Sequence, residues 1–370
     1  MTYKSIFNFI SILAVAVVFC IGCGNSGGNS NKPASLTGQW VDVNPKPGDA
    51  EEFELFSDGT AVLKEGSMTV SGTWNVVDKR FLITVSMGGT NVSQAYDYKV
   101  SGYELTLIDN DGNTSTCVKK GKLEEYKAKQ VAAAEAERKR VIEQSLKQFV
   151  SVSGGTFTMG CTAEQGDECR SNEKPAHTVT LKDFSIGKYE VTQALWQAVM
   201  DENPTDFKGN DNLPVENVSW NDVRVFIQRL NEKTGKKYRL PTEAEWEYVA
   251  RGGNKSKGYR FSGSNDIDEV AWYEKNSGQT THPVGTKQAN ELGLYDMTGN
   301  VGEWVSDRYG ENYYSSSPDS NPTGPISGSD RVYRGGCWSR DARLCRVSFR
   351  DDYNPDLRFI NLGFRLALSP

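Results

Sequence analysis

The chain has 370 residues, 37% hydrophobic, 24% charged and 11% aromatic, a globular composition long enough for two or three domains of roughly 100–200 residues each. Its formal net charge of −6 excludes the basic footprint that phosphate binding needs, so nucleic acid is not expected as a partner. Glycine (36) and tryptophan (8) are abundant, which predicts a loop-rich fold pinned by large aromatic side chains.

Residues 1–22 read as a signal peptide. Lys4 supplies positive charge, and Ile10 to Ile21 is an apolar run interrupted only by Ser11, shorter than the ~20 residues that span a bilayer. Gly22-Cys23 looks like a lipoprotein cleavage box, with Cys20 in the place usually held by Leu. Cys23 would then be the lipidated first residue, and residues 23–35 a Gly/Asn/Ser tether. Acyl chains would hold the protein on a membrane without spanning it. This places it in the cell envelope, on the periplasmic or cell-surface face.

Residues 36–120 read as a small antiparallel all-β domain. Phe53 to Phe56 leads into the turn Ser57-Asp58-Gly59-Thr60, and further short strands follow Gly72-Thr73-Trp74, Phe81 to Val85, Ala95 to Val100 and Tyr103 to Ile108. Strands at roughly ten-residue spacing with Asp-Gly turns predict a meander, either a sandwich or a small barrel. Gly38-x-Trp40, Phe56-x-x-Gly59-Thr60 and Gly72-x-Trp74 resemble the lipocalin-like domains of bacterial envelope lipoproteins. A barrel of such short strands leaves little interior volume, so this domain is expected to be a packed spacer rather than a ligand carrier. Cys117 is expected to be buried in it.

Residues 121–148 are rich in Ala, Glu, Lys, Arg and Gln without Pro, which predicts a helical connector about 40 Å long. No coiled-coil heptad is sustained.

Residues 149–370 form the main domain. Its landmarks are Gly155-Thr156-Phe157-Thr158-Met159-Gly160, Tyr189-Glu190-Val191-Thr192, Val218-Ser219-Trp220, Tyr238 to Tyr248, Asn290 to Trp304, Arg331 to Trp338 and Gly363-Phe364-Arg365. Ser219 reads as an N-cap before an amphipathic helix, and Thr242-Glu243-Ala244-Glu245 as a capping box. The order of these segments resembles the sulfatase-modifying-factor family, to which formylglycine-generating enzyme belongs. The resemblance implies an α+β fold of the C-type-lectin kind.

The resemblance also implies chemistry, and the residues qualify it. The family's oxidases bind copper with two cysteines in the loop after the Gly-Gly pair. Here Arg340 stands at one of those positions and Cys345 at the other, and Cys337 stands where the family has serine. A Cu(I) site needs two soft thiolates at one point, so copper is implied only if Cys337 joins Cys345 as a redox thiol. In an exported protein, the equally spaced pairs Cys161–Cys169 and Cys337–Cys345 read instead as two disulfides. By the same resemblance the turn from Asp296 to Glu303 would hold calcium, through the Asp296 and Glu303 carboxylates and the Gly299 and Val301 carbonyls. His177 and His282 are expected to be structural. The preferred reading is a non-oxidase domain that binds a protein or glycan. Trp338, Arg340, Arg343 and Arg346 would line the former active cleft, the arginines suiting an anionic partner. The second reading is an oxidase of cysteine or another thiol.

Overall fold

A computed structural model of the chain describes residues 33–46, 50–87 and 90–369. The signal peptide, Cys23 and most of the tether lie outside the described residues. No helix among the described residues is long and apolar enough to cross a membrane. The chain divides at Ala134/Glu135 into two compact units.

The first unit is a closed barrel of eight antiparallel strands in sequence order. These are β1 (Gly38–Asp42), β2 (Glu52–Leu55), β3 (Thr60–Glu65), β4 (Met68–Val77), β5 (Arg80–Met87), β6 (Thr90–Ser101), β7 (Glu104–Ile108) and β8 (Thr114–Lys119). Between sandwich and barrel, the pairing of β1 with β8, Trp40 opposite Lys119, decides for the barrel. Alternate residues of each strand point inward, and Trp40, Leu55, Trp74, Phe81, Val85 and Leu105 pack the interior. Both tryptophans bury their rings and satisfy their N–H groups, Trp40 on the Leu36 carbonyl and Trp74 on that of Phe56, each at 2.8 Å. Cys117 lies in this core. The predicted Asp-Gly turn is present: Asp58 Oδ1 accepts the Thr60 amide at 2.8 Å.

Helix α1 (Leu123–Leu146) follows. Most of it is solvated, and Ile142, with Val141 and Leu146, packs into the core of the second unit.

The second unit holds α2 (Gln193–Met200), α3 (Trp220–Thr234), α4 (Glu243–Ala250), α5 (Ile267–Val270) and three small sheets. One pairs β10 (Gly155–Met159) with β11 (His177–Leu181). In the second, the order is β13 (Tyr238–Arg239), β18 (Ala367–Leu368), β12 (Phe184–Gly187), β9 (Phe149–Val152). The third runs β16 (Arg350–Tyr353), β15 (Arg331–Arg334), β14 (Gly302–Arg308), β17 (Leu362–Phe364), with β14 and β17 parallel. The caps predicted from sequence are formed: Ser219 on the Asp222 amide and Thr242 on that of Glu245, each with its reciprocal carboxylate.

All eight residues of α4 are buried, its glutamates included. A buried carboxylate is tolerable only when paired, and each of these is. Glu243 accepts Arg350 Nε at 2.7 Å and Arg334 Nη1 at 3.0 Å, and Glu247 accepts Arg334 Nη2 at 2.5 Å and the Gly160 amide at 2.7 Å. Burial raises the Glu243 pKa, but Arg350 and Arg334 outweigh it and hold the group below its ordinary value. The same pattern recurs at Glu173–Arg346 and Glu303–Arg365, each with two N–O contacts of 2.6–2.7 Å. Arg334, Arg346, Arg350 and Arg365 are at most 1% exposed.

Removing one partner strands the other charge in the interior. Arg334→Ala is expected to destabilise the second unit by about 3–5 kcal/mol, read from its urea unfolding transition. Arg343→Ala, at an exposed pair with Asp341, should leave that transition nearly unchanged. A comparable, small loss in both variants would refute the structural role of the buried pair.

Candidate functional site

The segment after β15 is shaped by two glycines with left-handed backbone, Gly335 at φ 94° and Gly336 at φ 69°. A Cβ on Gly336 would meet Cys345 Sγ at 2.5 Å and the Leu344 carbonyl at 2.6 Å, so only glycine lets the chain pass this close to that thiol. The turn from Asp296 to Glu303 braces the segment. The Gly299 amide donates to the Gly335 carbonyl at 2.9 Å, and the Trp338 amide to that of Asn300 at 2.8 Å. Glu190 fixes the turn in place by accepting the Val301 amide and Asn300 Nδ2.

The expected disulfides divide. Cys161 and Cys169 are joined, with Cα atoms 6.0 Å apart. Cys337 and Cys345 are not: both are free thiols, 3% and 0% exposed. The second bridge expected from spacing is therefore corrected. Equal separation along the chain does not fix how two side chains meet. Cys337 Sγ faces Ser339 Oγ at 3.3 Å, and Cys345 Sγ lies 4.0 Å from the Arg340 carbonyl. Burial raises both thiol pKa values. At Cys337, the nearby Arg340 charge and the Ser339 contacts oppose this without overcoming it. Burial thus favours the neutral form of both thiols, and Arg340 stands where the resemblance implies the other cysteine. This donor set does not fit Cu(I), which binds thiolates.

Both carboxylates named for calcium already have protein partners. Glu303 gives both carboxylate oxygens to Arg365 and also accepts Trp246 Nε1 at 2.8 Å. Asp296 Oδ2 accepts the Gly285 amide at 2.7 Å, and burial pushes its pKa up to about 6. Among the described residues no three His, Cys, Asp or Glu side chains are grouped to hold a metal. Gly299 and Val301 serve the turn through their amides. The two histidines are held by packing and backbone carbonyls: His177 packs tilted against Tyr314 with Nδ1 3.2 Å from the Pro175 carbonyl, and His282 stacks 3.7 Å from the Trp272 ring with Nε2 2.7 Å from the Ser277 carbonyl.

Of the four residues expected to line a cleft, Arg346 is corrected. It is buried against Glu173, because a guanidinium so close to a buried carboxylate is an internal strut. Arg343 is exposed and paired with Asp341. Trp338 and Arg340 are half-buried at the surface, and they join residues that sequence reasoning missed. Trp338 Nε1 donates to the Ile360 carbonyl at 3.1 Å, and its ring meets Phe207 edge-on at 5.4 Å. Arg340 donates to the Tyr353 hydroxyl at 3.3 Å. Tyr353 stacks on Tyr333 at 5.0 Å and tilts against Phe359 at 4.4 Å. In the loop after β16, Leu357 and Ile360 stand 45% and 36% exposed. The available signal was a run of large apolar residues, Leu357, Phe359 and Ile360, in the loop that follows Tyr353 and is punctuated by Asn354, Pro355 and Asp356.

Phe207 is itself positioned by a buried acid. Glu216, fully buried, accepts the amides of Asp206 and Phe207 at 2.8 and 3.1 Å through Oε1, while Oε2 has no partner among the described residues. Burial pushes its pKa up to about 7.

Residues 133–370 match the family model described as sulfatase-modifying factor enzyme 1-like domain. The chain is 35% identical over 241 residues to the chaperone protein LppX of Paenibacillus barcinonensis, covering 52% of this chain and 82% of that one. It is 30% identical over 291 residues to the formylglycine-generating enzyme of Streptomyces coelicolor, covering 60% and 90%. Among solved structures, Treponema denticola variable protein 1 superposes with a TM-score of 0.55 at 34% identity, over 60% of this chain and 95% of that one.

The raised acid at Glu216 gives a signed pH dependence. Between about pH 4.5, the ordinary value, and about pH 7, the folded carboxyl keeps a proton that the unfolded one has released. Stability from this group is therefore full below that window and is lost as pH rises through it. In urea titrations at pH 5 and pH 8, Glu216→Gln should show a smaller loss at pH 8 than the parent. An unchanged difference would rule this group out as the source.

Proposed function

The chain belongs to the sulfatase-modifying-factor family through residues 133–370, and we propose that this domain binds a protein or glycan partner and does not act as an oxidase. The observation that carries the reading is Arg340 at the family's cysteine position, beside two buried, neutral thiols. Cysteine oxidation needs an accessible thiolate or a metal thiolate, and neither sulfur is poised to be one. Family membership does not argue the other way. The relatives named above are called a chaperone, a formylglycine-generating enzyme and a variable protein, and function resides in the site rather than the fold.

The binding face is the patch of Trp338, Arg340, Tyr353, Leu357, Phe359 and Ile360. Half-exposed aromatics with an arginine among them have the composition of binding hot spots. Such a patch, lying on irregular loops above a rigid scaffold, is also the arrangement expected of a lectin-like surface. The likeness to C-type lectins remains part of this proposal. The patch arginine suits a partner with carboxylate, phosphate or sulfate groups.

We further infer that acyl chains on Cys23 tether the chain to an envelope membrane, the apolar run Ile10 to Ile21 and the Gly22-Cys23 junction supporting it. Fatty-acid labelling in growing cells should be lost in Cys23→Ser. Equal labelling of that variant would remove the anchor.

The function is tested on two sides. With Cu(I), oxygen and a cysteine-containing peptide of the sulfatase motif, no formylglycine product is expected. Turnover that Cys345→Ser abolishes would establish the oxidase instead. On the binding side, Trp338→Ala and Ile360→Asp should each reduce retention of an envelope-extract partner at least about tenfold, a loss of ~1.4 kcal/mol. Their melting temperatures should stay near the parent's. Retention indifferent to both variants would sink the proposed face.

A further inference from the structure

Residues 201–212 run from the end of α2 to Leu213 as an irregular loop. Phe207, within it, sets its ring edge-on against Trp338. Three side chains outside the loop fix its first half. Gln193 of α2 donates Nε2 to the Phe207 carbonyl at 2.7 Å, and Asn217 donates Nδ2 to the Pro204 carbonyl at 3.0 Å. Glu216 accepts the Asp206 and Phe207 amides through Oε1. The Asn217 amide also donates to the Phe359 carbonyl at 2.9 Å. Glu216 and Asn217 together thus tie the Phe207 loop to the Phe359 loop, and both loops bring rings to the Trp338 face.

Of the three side chains only Glu216 titrates, and it differs from the glutamates of the scaffold. Glu173, Glu243, Glu247 and Glu303 each meet an arginine within 3.0 Å. Glu216 is as deeply buried, at 0% exposed, but meets no Lys or Arg within 4.0 Å among the described residues. The charged groups that face it are Asp206, which disfavours its ionisation, and Lys208, which favours it. Arg358, beside Phe359, is taken up by Asp222 at 2.6 and 2.8 Å. Burial outweighs the two amide hydrogen bonds. Once ionised, Glu216 is a carboxylate in the interior without a counter-charge, and its Oε2 has no partner among the described residues. Such a charge is relieved by admitting water.

The side that yields is set by packing. Val215 and Val218 sit in the core at 0% and 1% exposed. A Cβ on Gly363 of β17 would meet the Val215 carbonyl at 2.3 Å, so the backbone at Glu216 is hemmed in. The facing loop is not: Asp206 and Lys208 to Asn212 are exposed. Water therefore reaches the carboxylate when Asp206 and Phe207 move away from it.

We propose that Glu216 is a positioning residue of the Trp338 face, which seats Phe207 against Trp338 while its carboxyl is neutral and releases it on ionisation. The effect on partner affinity, a loss as pH rises, rests on that face being the binding surface. The seated carboxyl keeps its proton up to about pH 7, the released one only to about pH 4.5. Release is therefore rarest below that window, grows through it and levels off above it. Between pH 6 and pH 8 the released fraction grows about tenfold.

Two measurements on the full chain test this without any partner. Amide hydrogen exchange at Asp206 and Phe207, divided by the intrinsic rate at each pH, should speed up about tenfold from pH 6 to pH 8. In Glu216→Gln, which accepts the same amides but cannot ionise, it should not. With fluorotryptophan incorporated, the fluorine resonance of Trp338, identified by its loss in Trp338→Phe, should shift over the same range. It should stay fixed in Glu216→Gln and, separately, in Phe207→Leu. Phe207 is half-buried, so Phe207→Leu keeps the test open if Glu216→Gln does not fold. Unchanged exchange in the parent, a Trp338 resonance that does not move, or one that moves equally in Phe207→Leu would each overturn the proposal. A face that titrates as expected yet retains no partner would overturn the binding surface and leave the seating of Phe207 standing.

Discussion

The second unit depends on charges that have no water around them. Arg334, Arg350, Glu243 and Glu247 form a buried lattice between α4 and the strands β15 and β16. Removing water from a carboxylate or a guanidinium costs several kcal/mol, and only close, multiply hydrogen-bonded pairing offsets it. The geometry meets that condition. Both Glu243 oxygens are engaged, and Arg334 also donates to the Val347 and Ser348 carbonyls. An apolar core would tolerate small slips of helix against sheet. A lattice of paired charges does not, because any displacement leaves a charge unpaired. This explains how sheets of two to four short strands can hold long irregular loops in fixed positions.

The consequence is a division of labour within the C-terminal segment. Arg334, Arg346, Arg350 and Arg365 point inward and are struts. The residues between them, Trp338 to Leu344 and Asp351 to Asn361, are almost all at least partly solvent-accessible. The features that make the segment recognisable are thus scaffold, held by desolvated pairs that cannot change one at a time. Arg340, in the loop after Gly335-Gly336, lies between struts at the surface. A fold built this way can lose one chemistry and present another surface without altering its interior. The names of its relatives are consistent with that freedom.

The first unit follows a simpler rule. Its barrel closes through period-two alternation, and two tryptophans fill its interior with their N–H groups satisfied by nearby carbonyls. No desolvated charge is needed to fix the register, since a slip by one residue would turn every core side chain outward. The two units therefore reach specificity by different means, one by hydrophobic pattern and one by paired charge.

What was legible in the sequence was what depends on near neighbours. The caps at Ser219 and Thr242 and the turn at Asp58-Gly59 close over two to three residues, and the structure forms them as read. The helix from Leu123 and the strand series from Gly38 follow from composition and alternation. What misled was anything that depends on distant partners. Arg346 read as a surface cation because its partner Glu173 lies 173 residues away in sequence. Cys337 and Cys345 read as a staple from spacing, which says nothing of how side chains meet. The sequence determined the capped helices, the connector helix, most strands of the first unit and the family, because local hydrogen bonds and periodicity are written in adjacent residues. Only the tertiary structure decided which charges are struts and which are exposed, because burial is a property of the packed interior and pairing must be satisfied there by whichever residue the fold brings near.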